Sequence, residues 1–192
     1  MFNDKTVLGD QVDATVTRNA GSAEIIGLDG VYTATCYDTN GNIKWSDVIE
    51  NLTTNVGRKS ILDSYFANTG GGAIVMGLKG TGTAAYGDTQ SSHATWLEVG
   101  SANAPTYSGT RKTPAFSAAT TANPSVLSTS AAVVFTMTGS GTVAGAFINV
   151  GGSSTIDNTT GVLFSAGDFT AGSKTVTSGD TINVTYTLSA SG

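Results

Sequence analysis

Five short segments rich in β-branched and aromatic residues follow one another through the C-terminal part of the chain, and turn-forming residues separate them. They span residues 131–138, 141–150, 161–164, 174–177 and 181–188. A spacing of about ten residues between such segments is typical of a β-sandwich or a barrel. The pattern predicts a mainly β fold of the β-sandwich or jelly-roll-like type. We expect the strand-dense C-terminal half to fold as a compact sandwich by itself.

The composition agrees with a fold made of many short strands. Only 12% of the 192 residues are charged, and 25 residues are glycine. Threonine, which is also frequent, suits a pleated and half-exposed surface, while glycine is common at turns and bulges. A chain of this length can bury a core without disulfides. The single cysteine, Cys36, has no partner for an intramolecular bridge, so folding must rely on packing.

A β-hairpin is the clearest local signal in the N-terminal half. Residues 31–37 alternate like a strand, residues 38–41 read Asp-Thr-Asn-Gly, and a return strand follows over 42–49. Asn-Gly supplies the positive φ angles that tight hairpin turns need. Farther along, residues 73–78 form an apolar run that predicts a buried strand, and loops should dominate from there to residue 130.

One helix is predicted at about 53–67, where the apolar residues change to a helical period. Thr53, Thr54 or Asn55 can serve as its N-cap. Gly57 lowers helix stability by about 1 kcal/mol relative to alanine, so this cost is either tolerated or offset by close packing. Leu62 and Phe66 share the apolar face, and we expect Phe66 to be buried against the sheet.

The domain organisation follows from the weak pattern at the N-terminus. Residues 1–29 carry scattered polar residues and read as an extended arm or edge segment, whereas 30–192 read as a single β-rich domain. Too few apolar side chains lie in the arm to offset the entropy of ordering it alone. We therefore expect a neighbouring subunit to supply the missing contacts.

Charge and hydropathy exclude two classes of partner. The net charge of −5 and the pI near 4.6 argue against direct nucleic-acid binding. The two basic pairs, Arg111-Lys112 and Arg58-Lys59, read as solvated or interface pairs. We expect no membrane partner, since no apolar window is long enough to span a bilayer. The first residues lack a signal-peptide pattern, which favours synthesis in a cytoplasm.

Candidate catalytic residues are few. His93 is the only histidine and reads as a loop residue, and Cys36 lies in an alternating strand, where a small buried side chain is expected. Asp157 and Asp168 could flank a glycosidic bond, but their surroundings are typical of turns in which aspartate caps its own backbone. The sequence therefore predicts no catalytic residue and no enzyme activity.

The sequence contains no complete cofactor or metal-binding motif, because the flanking residues of each candidate do not fit. Residues 139–144 resemble a dinucleotide fingerprint, but a strand follows instead of a helix, so we interpret them as a β-turn between antiparallel strands. Lys79 follows a glycine-rich stretch, but Gly80 stands where a phosphate loop needs serine or threonine. There is no Cys/His cluster for zinc and no calcium-loop pattern. We expect no cofactor and no metal.

Four aromatic residues keep a carbohydrate-binding β-sandwich module open as an alternative. Exposed together, Trp45, Tyr86, Trp96 and Tyr107 could stack on sugar rings. The competing interpretation, which we favour, is that both tryptophans anchor a core or an interface.

Ten motifs, in order and spacing, resemble a family of tailed-bacteriophage virion structural proteins, from about residue 31 to the C-terminus. The motifs are NGNIKW (40–45), NLTTNVG (51–57), ILDSYF (61–66), MGLKG (76–80), DT (88–89), SHATWLE (92–98), TRKTPAF (110–116), GTVAGAF (141–147), LFSAGDF (163–169) and SGDTINVT (178–185). This resemblance implies a structural place in the particle, on the head or the tail, and brings no catalytic residue with it.

Within that family, a small, acidic chain without a stalk repeat favours a capsid decoration, or cement, protein on the virion surface. The expected partners are the major capsid protein and further copies of the chain, as a dimer or trimer. A decoration protein acts by binding: it stabilises the closed shell as any ligand of a native state does. A tail or head-fibre component is the alternative within the same class.

Overall fold

The computed structural model describes residues 26–69, 71–93 and 95–192. Within these ranges lie eleven strands and one helix. They are β1 (Gly27–Tyr37), β2 (Ile43–Thr53), α1 (Asn55–Tyr65), β3 (Ile74–Lys79), β4 (Glu98–Val99), β5 (Ser125–Ser128), β6 (Val133–Thr136), β7 (Gly141–Val143), β8 (Gly145–Val150), β9 (Val162–Phe169), β10 (Lys174–Val176) and β11 (Thr181–Ser191). The predicted mainly β class is confirmed.

The predicted hairpin forms between β1 and β2, and its turn is held by one aspartate. Asp38 Oδ1 accepts the backbone N–H groups of Asn40 and Asn42, both at 2.8 Å. Gly41 takes a positive φ of 83°. The Asn-Gly pattern predicted positive φ angles at both residues, but Asn40 has a negative φ. Gly41 is therefore the single left-handed residue of this turn.

Nine strands form one antiparallel sheet, in the order β4-β3-β8-β9-β2-β1-β11-β5, with β6 also paired to β11. The last strand, β11, pairs with β1 along one edge and with β6 and then β5 along the other. A second, two-stranded sheet joins β7 and β10. Strands far apart in the chain, such as β1 and β11 or β3 and β8, are therefore neighbours.

The main hydrophobic core combines strands from both halves of the long sheet. Tyr32 of β1 and Val184 of β11 belong to one buried cluster with Met76 of β3 and Ile148 of β8. Because strands distant along the sheet enclose the same core, the arrangement is sandwich-like, as predicted. A smaller cluster around Trp96 and three residues of β8 and β9 forms a separate buried group.

The expectation of an independent C-terminal sandwich is wrong. β11 lies between β1 and the β5 and β6 strands, and β9 lies between β2 and β8. Without β1 and β2, the C-terminal strands would lose the partners along one edge of β9 and of β11. The pattern of residues 131–188 identified strands but carried no information on which strands they pair with.

Some predicted boundaries also change. Residues 141–150 form two strands, β7 and β8, that belong to different sheets. The dinucleotide-like segment over 139–144 leads into strands, as expected, but β6 and β7 do not pair with each other, so it is not a hairpin turn. β1 starts at Gly27, opposite Ser191, so residues 27–29 belong to the sheet. The remaining arm, residues 1–25, lies outside the described part of the chain.

Helix α1 forms within the predicted range, but it buries a different face from the one expected. Thr54 is the N-cap, and its side chain accepts the Gly57 N–H at 3.0 Å. Gly57 is the buried residue of the helix, so of the two alternatives, a tolerated cost or close packing, the structure shows close packing. Phe66 is 78% exposed and Leu62 is 59% exposed, and the prediction that Phe66 is buried is therefore wrong.

Candidate interaction surfaces

Cys36 and His93, the candidate nucleophile and the candidate base, both have structural roles. Cys36 is fully buried in β1, and burial, with a further contribution from Asp180, raises the pKa of its thiol to about 11. Its thiol is therefore protonated at neutral pH. The His93 ring stacks on Trp96 at a centroid distance of 4.1 Å, and its Nδ1 lies 2.9 Å from the Trp96 carbonyl oxygen.

The two candidate carboxylates lie in different surroundings. Asp157 occupies a turn with a φ of 63°, and its Oδ2 accepts the Ala102 N–H at 3.2 Å. Asp168 is not a turn residue, as the sequence suggested, but a member of β9 that forms an ion pair with the buried Lys79. The two carboxylates line separate depressions, so no carboxylate pair for acid–base chemistry is assembled by them.

In one of the two basic pairs the arginine, Arg111, is buried within the domain, which corrects its interpretation as part of a solvated or interface pair, while Lys112 is partly exposed. The Arg111 guanidinium donates to both carboxylate oxygens of Glu98, at 2.8 and 2.6 Å, and neither side chain is more than 2% exposed. It also donates to the carbonyl oxygens of Ser153 and Asn158. Arg111 therefore fastens the loop after β8 to β4. Arg58 and Lys59, in contrast, are exposed on α1, as predicted.

A pocket of about 400 Å³ lies between the loops near this ion pair, and polar residues such as Gln90, His93 and Asp157 are among those that line it. Several of its polar groups have partners within the chain. Glu98 also accepts the Asp157 N–H at 3.0 Å, and Gln90 accepts the Asn149 side-chain amide at 2.8 Å. The pocket is thus built by contacts that hold the loops together.

The four aromatic residues do not form a common sugar-stacking face. Trp96 and Tyr107 are buried, and Trp45 packs edge-on against Phe169 at 5.2 Å. Tyr86 is exposed by itself, with the Arg58 guanidinium 5.5 Å from its ring. The interpretation of Trp96 as a core residue is confirmed.

Helix α1 presents an unpartnered apolar surface, which we call the α1 patch: Leu62, Tyr65 and Phe66. Tyr65 is 81% exposed, and the rings of Tyr65 and Phe66 meet edge-to-face at 5.1 Å. Exposed apolar surfaces are a common feature of interaction sites, which makes the α1 patch a candidate surface. The sequence pattern identified these residues as apolar and periodic, but placed them in the core.

An apolar cavity of about 300 Å³ opens beside α1, and we call it the end groove. Its walls include residues from six elements or loops that are distant in the chain: Leu28, Ile61, Phe116, Leu127, Phe164 and Leu188. A second depression shares Ile61 and Phe164 with it and extends to Tyr65. The α1 patch and the end groove are therefore adjacent. No sequence signal linked these positions, because only the fold brings them together.

Two further features concern membranes and metals. In the part of the chain that the structure describes, no helix combines the length and hydropathy needed to cross a bilayer. Nor do the described residues include a group of three or more His, Cys, Asp or Glu side chains placed to hold a metal ion.

Comparisons with known proteins give no further assignment: no family model matches the chain, and no curated protein or solved structure matches it significantly. The resemblance to phage virion proteins therefore rests on the motifs alone.

Proposed function

We propose that this protein is a structural component of a tailed-phage virion, most specifically a capsid decoration protein that binds and stabilises the major capsid shell. The observation that carries the proposal, together with the motif resemblance, is the α1 patch. A small domain with a large buried core has no internal need to leave two aromatic side chains exposed side by side on its one described helix.

Binding through this patch has a clear energetic basis. Fully burying a side chain such as phenylalanine or leucine contributes about 1.5–3 kcal/mol. Aromatic residues at the centre of an interface are also common hot spots. A protein that binds the closed shell and not the ruptured one stabilises the closed shell by mass action. Repeated weak contacts from several copies add through multivalency.

We further propose that the protein acts by binding and not by catalysis, and without a cofactor or metal. The supporting observation is that the residues suited to catalysis have other tasks: Cys36 lies in the core, and His93 stacks on Trp96. Direct contact with nucleic acid is not part of the proposal, since Arg111, one of the few basic residues, pairs with Glu98.

The test is a co-sedimentation assay with capsids that lack the protein. We expect the Tyr65→Ser/Phe66→Ser variant to bind at least tenfold more weakly than the unchanged protein, a loss of about 1.4 kcal/mol or more. Ile43→Ser/Val48→Ser is the matched control, because these two residues are also exposed and apolar but lie on β2. The control should bind capsids as the unchanged protein does.

Two results would count against the proposal. Equal capsid binding by the α1 patch variant and the control would exclude the patch as the contact surface. Immunogold labelling of virions that marks only tails would reject the decoration role and support the tail or head-fibre alternative instead.

A further inference from the structure

The end groove is the open end of the main hydrophobic core. Ile61, Phe116 and Leu188 are partly buried residues that pack against the core cluster and also line the groove. Its walls are wholly apolar, and none of the residues that the structure describes fills it. Water in such a cavity gains few hydrogen bonds, so an apolar segment that displaced it would be stabilised.

The chain itself supplies a segment of suitable chemistry close to this groove. Leu28 lines the groove, and the preceding residue, Gly27, is the first of β1 and lies opposite Ser191 near the end of β11. The pairing of β1 with β11 therefore ends at Gly27, beside the groove. Ile26, the residue before it, is 74% exposed.

The sequence of this N-terminal segment contains one strand-like stretch. Residues 12–17 read Val-Asp-Ala-Thr-Val-Thr, which places Val12, Ala14 and Val16 on one face and polar residues on the other. Residues 19–23, Asn-Ala-Gly-Ser-Ala, then have the composition of a flexible linker. The eight residues 18–25 can span at most about 27 Å, enough to reach an adjoining molecule.

We propose that residues 12–17 of one copy fill the end groove of a second copy, with the Val12, Ala14 and Val16 face against the groove wall. A second copy is favoured over the same chain because Ile26, which joins this segment to β1, is exposed and is not part of the groove wall. Neighbours held side by side in a closed ring supply the high effective concentration that such an exchange needs.

This inference deepens the proposed function, since exchanged arms would link neighbouring decoration proteins. The contact itself is between copies of the chain and can be measured without capsids.

Disulfide trapping between two single-substitution variants tests the contact. Val16→Cys and Ile61→Cys proteins are mixed at high concentration under mild oxidation. We expect a cross-linked dimer in the mixture, with mass spectrometry joining the two substituted peptides. Each variant alone and the unchanged protein, whose Cys36 is buried, serve as background. Val16→Cys mixed with Ile43→Cys is the matched control, since Ile43 is exposed beside the hairpin turn at the opposite end of β1.

A second measurement uses sedimentation velocity on the full chain. Val12→Asp/Val16→Asp should weaken self-association at least tenfold, while Asp13→Asn/Thr15→Asn, on the polar face, should leave it unchanged.

The outcomes separate cleanly. A cross-link that forms only inside one molecule of the Val16→Cys/Ile61→Cys double variant would assign the groove to the chain's own segment and overturn the proposal. Equal trapping with Ile43→Cys, or self-association insensitive to Val12→Asp/Val16→Asp, would overturn it too. If the protein binds capsids but the Val16→Cys and Ile61→Cys variants form no cross-link, only this inference is rejected. If the cross-link forms but the protein does not bind capsids, only the decoration role is rejected.

Discussion

Arg111 and Arg58 are each followed by a lysine in the sequence, yet the fold uses the two arginines in opposite ways. Arg58 lies on the exposed surface of α1, where it donates to the Asn55 side chain at 2.6 Å. Arg111 is buried with Glu98 and holds two backbone carbonyl groups of a distant loop. Burial of a charge is costly unless the charge is paired and hydrogen-bonded, and each nitrogen of the Arg111 guanidinium donates at least one hydrogen bond.

Arg111→Met should destabilise the protein by about 3–5 kcal/mol, because it leaves the Glu98 carboxylate buried without its cation. Urea unfolding followed by tryptophan fluorescence measures the loss. Arg58→Met is the matched control and should change stability by less than about 1 kcal/mol. A loss at position 111 no larger than at position 58 would show that the buried pair does not stabilise the fold.

Helix α1 shows at the scale of one element why an apolar period does not reveal which face is buried. Gly57 and Ile61, four residues apart, face the sheet, whereas Leu62, Tyr65 and Phe66 lie on a neighbouring face. The orientation is determined by Gly57, since a Cβ at this position would lie 2.2 Å from the Phe164 carbonyl oxygen. The helix backbone therefore approaches β9 more closely than any larger residue allows.

Gly57→Ala should consequently destabilise the protein, although alanine favours helices by about 1 kcal/mol over glycine. Forcing atoms into a filled space costs about 1–3 kcal/mol, and here the obstructing atom belongs to the backbone of β9. Thermal unfolding should show a lower midpoint. Lys59→Ala, on the exposed side of the helix, should change stability by less than about 0.5 kcal/mol. An increased midpoint for Gly57→Ala would mean that helix propensity outweighs packing.

At the scale of the whole molecule, ion pairs fasten the C-terminal strands to the first hairpin. Asp47 of β2 pairs with Lys174 of β10 at 2.7 Å, and Lys44 of β2 pairs with Asp180 at 2.5 Å. Burial raises the pKa of Asp47, but hydrogen bonds from Lys174, Thr170 and backbone N–H groups outweigh this effect and lower it to about 2.

Acid should therefore weaken the fold through Asp47. Its pKa in the folded state lies below the usual value near 3.9, so the folded state binds fewer protons and stability falls as pH drops from about 5 to about 2. Asp47→Asn should be less stable than the unchanged protein at neutral pH, and the two should converge near pH 2. Urea midpoints across this range provide the measurement, with Asp63→Asn on α1 as control. A difference that persists undiminished at the acidic end would contradict the prediction.

Local physics allowed the sequence by itself to determine the fold class, the β1–β2 hairpin, the position of α1 and most strands. Turn formation at Asp38 and Gly41, capping by Thr54 and alternation along β1 depend on residues a few positions apart, and a linear pattern records them directly. The motif resemblance added a proposed role but no surface.

Only the tertiary structure decided which strands pair, which face of α1 is buried and which charged side chains are buried. Each depends on contacts between residues far apart in the chain. Gly57 packs against Phe164, Arg111 donates to the Asn158 carbonyl oxygen, and β1 pairs with β11. The end groove is the clearest case, since its wall combines Leu28 with Leu188. These long-range contacts form because both halves of the sheet enclose one core. No local sequence pattern carries that information.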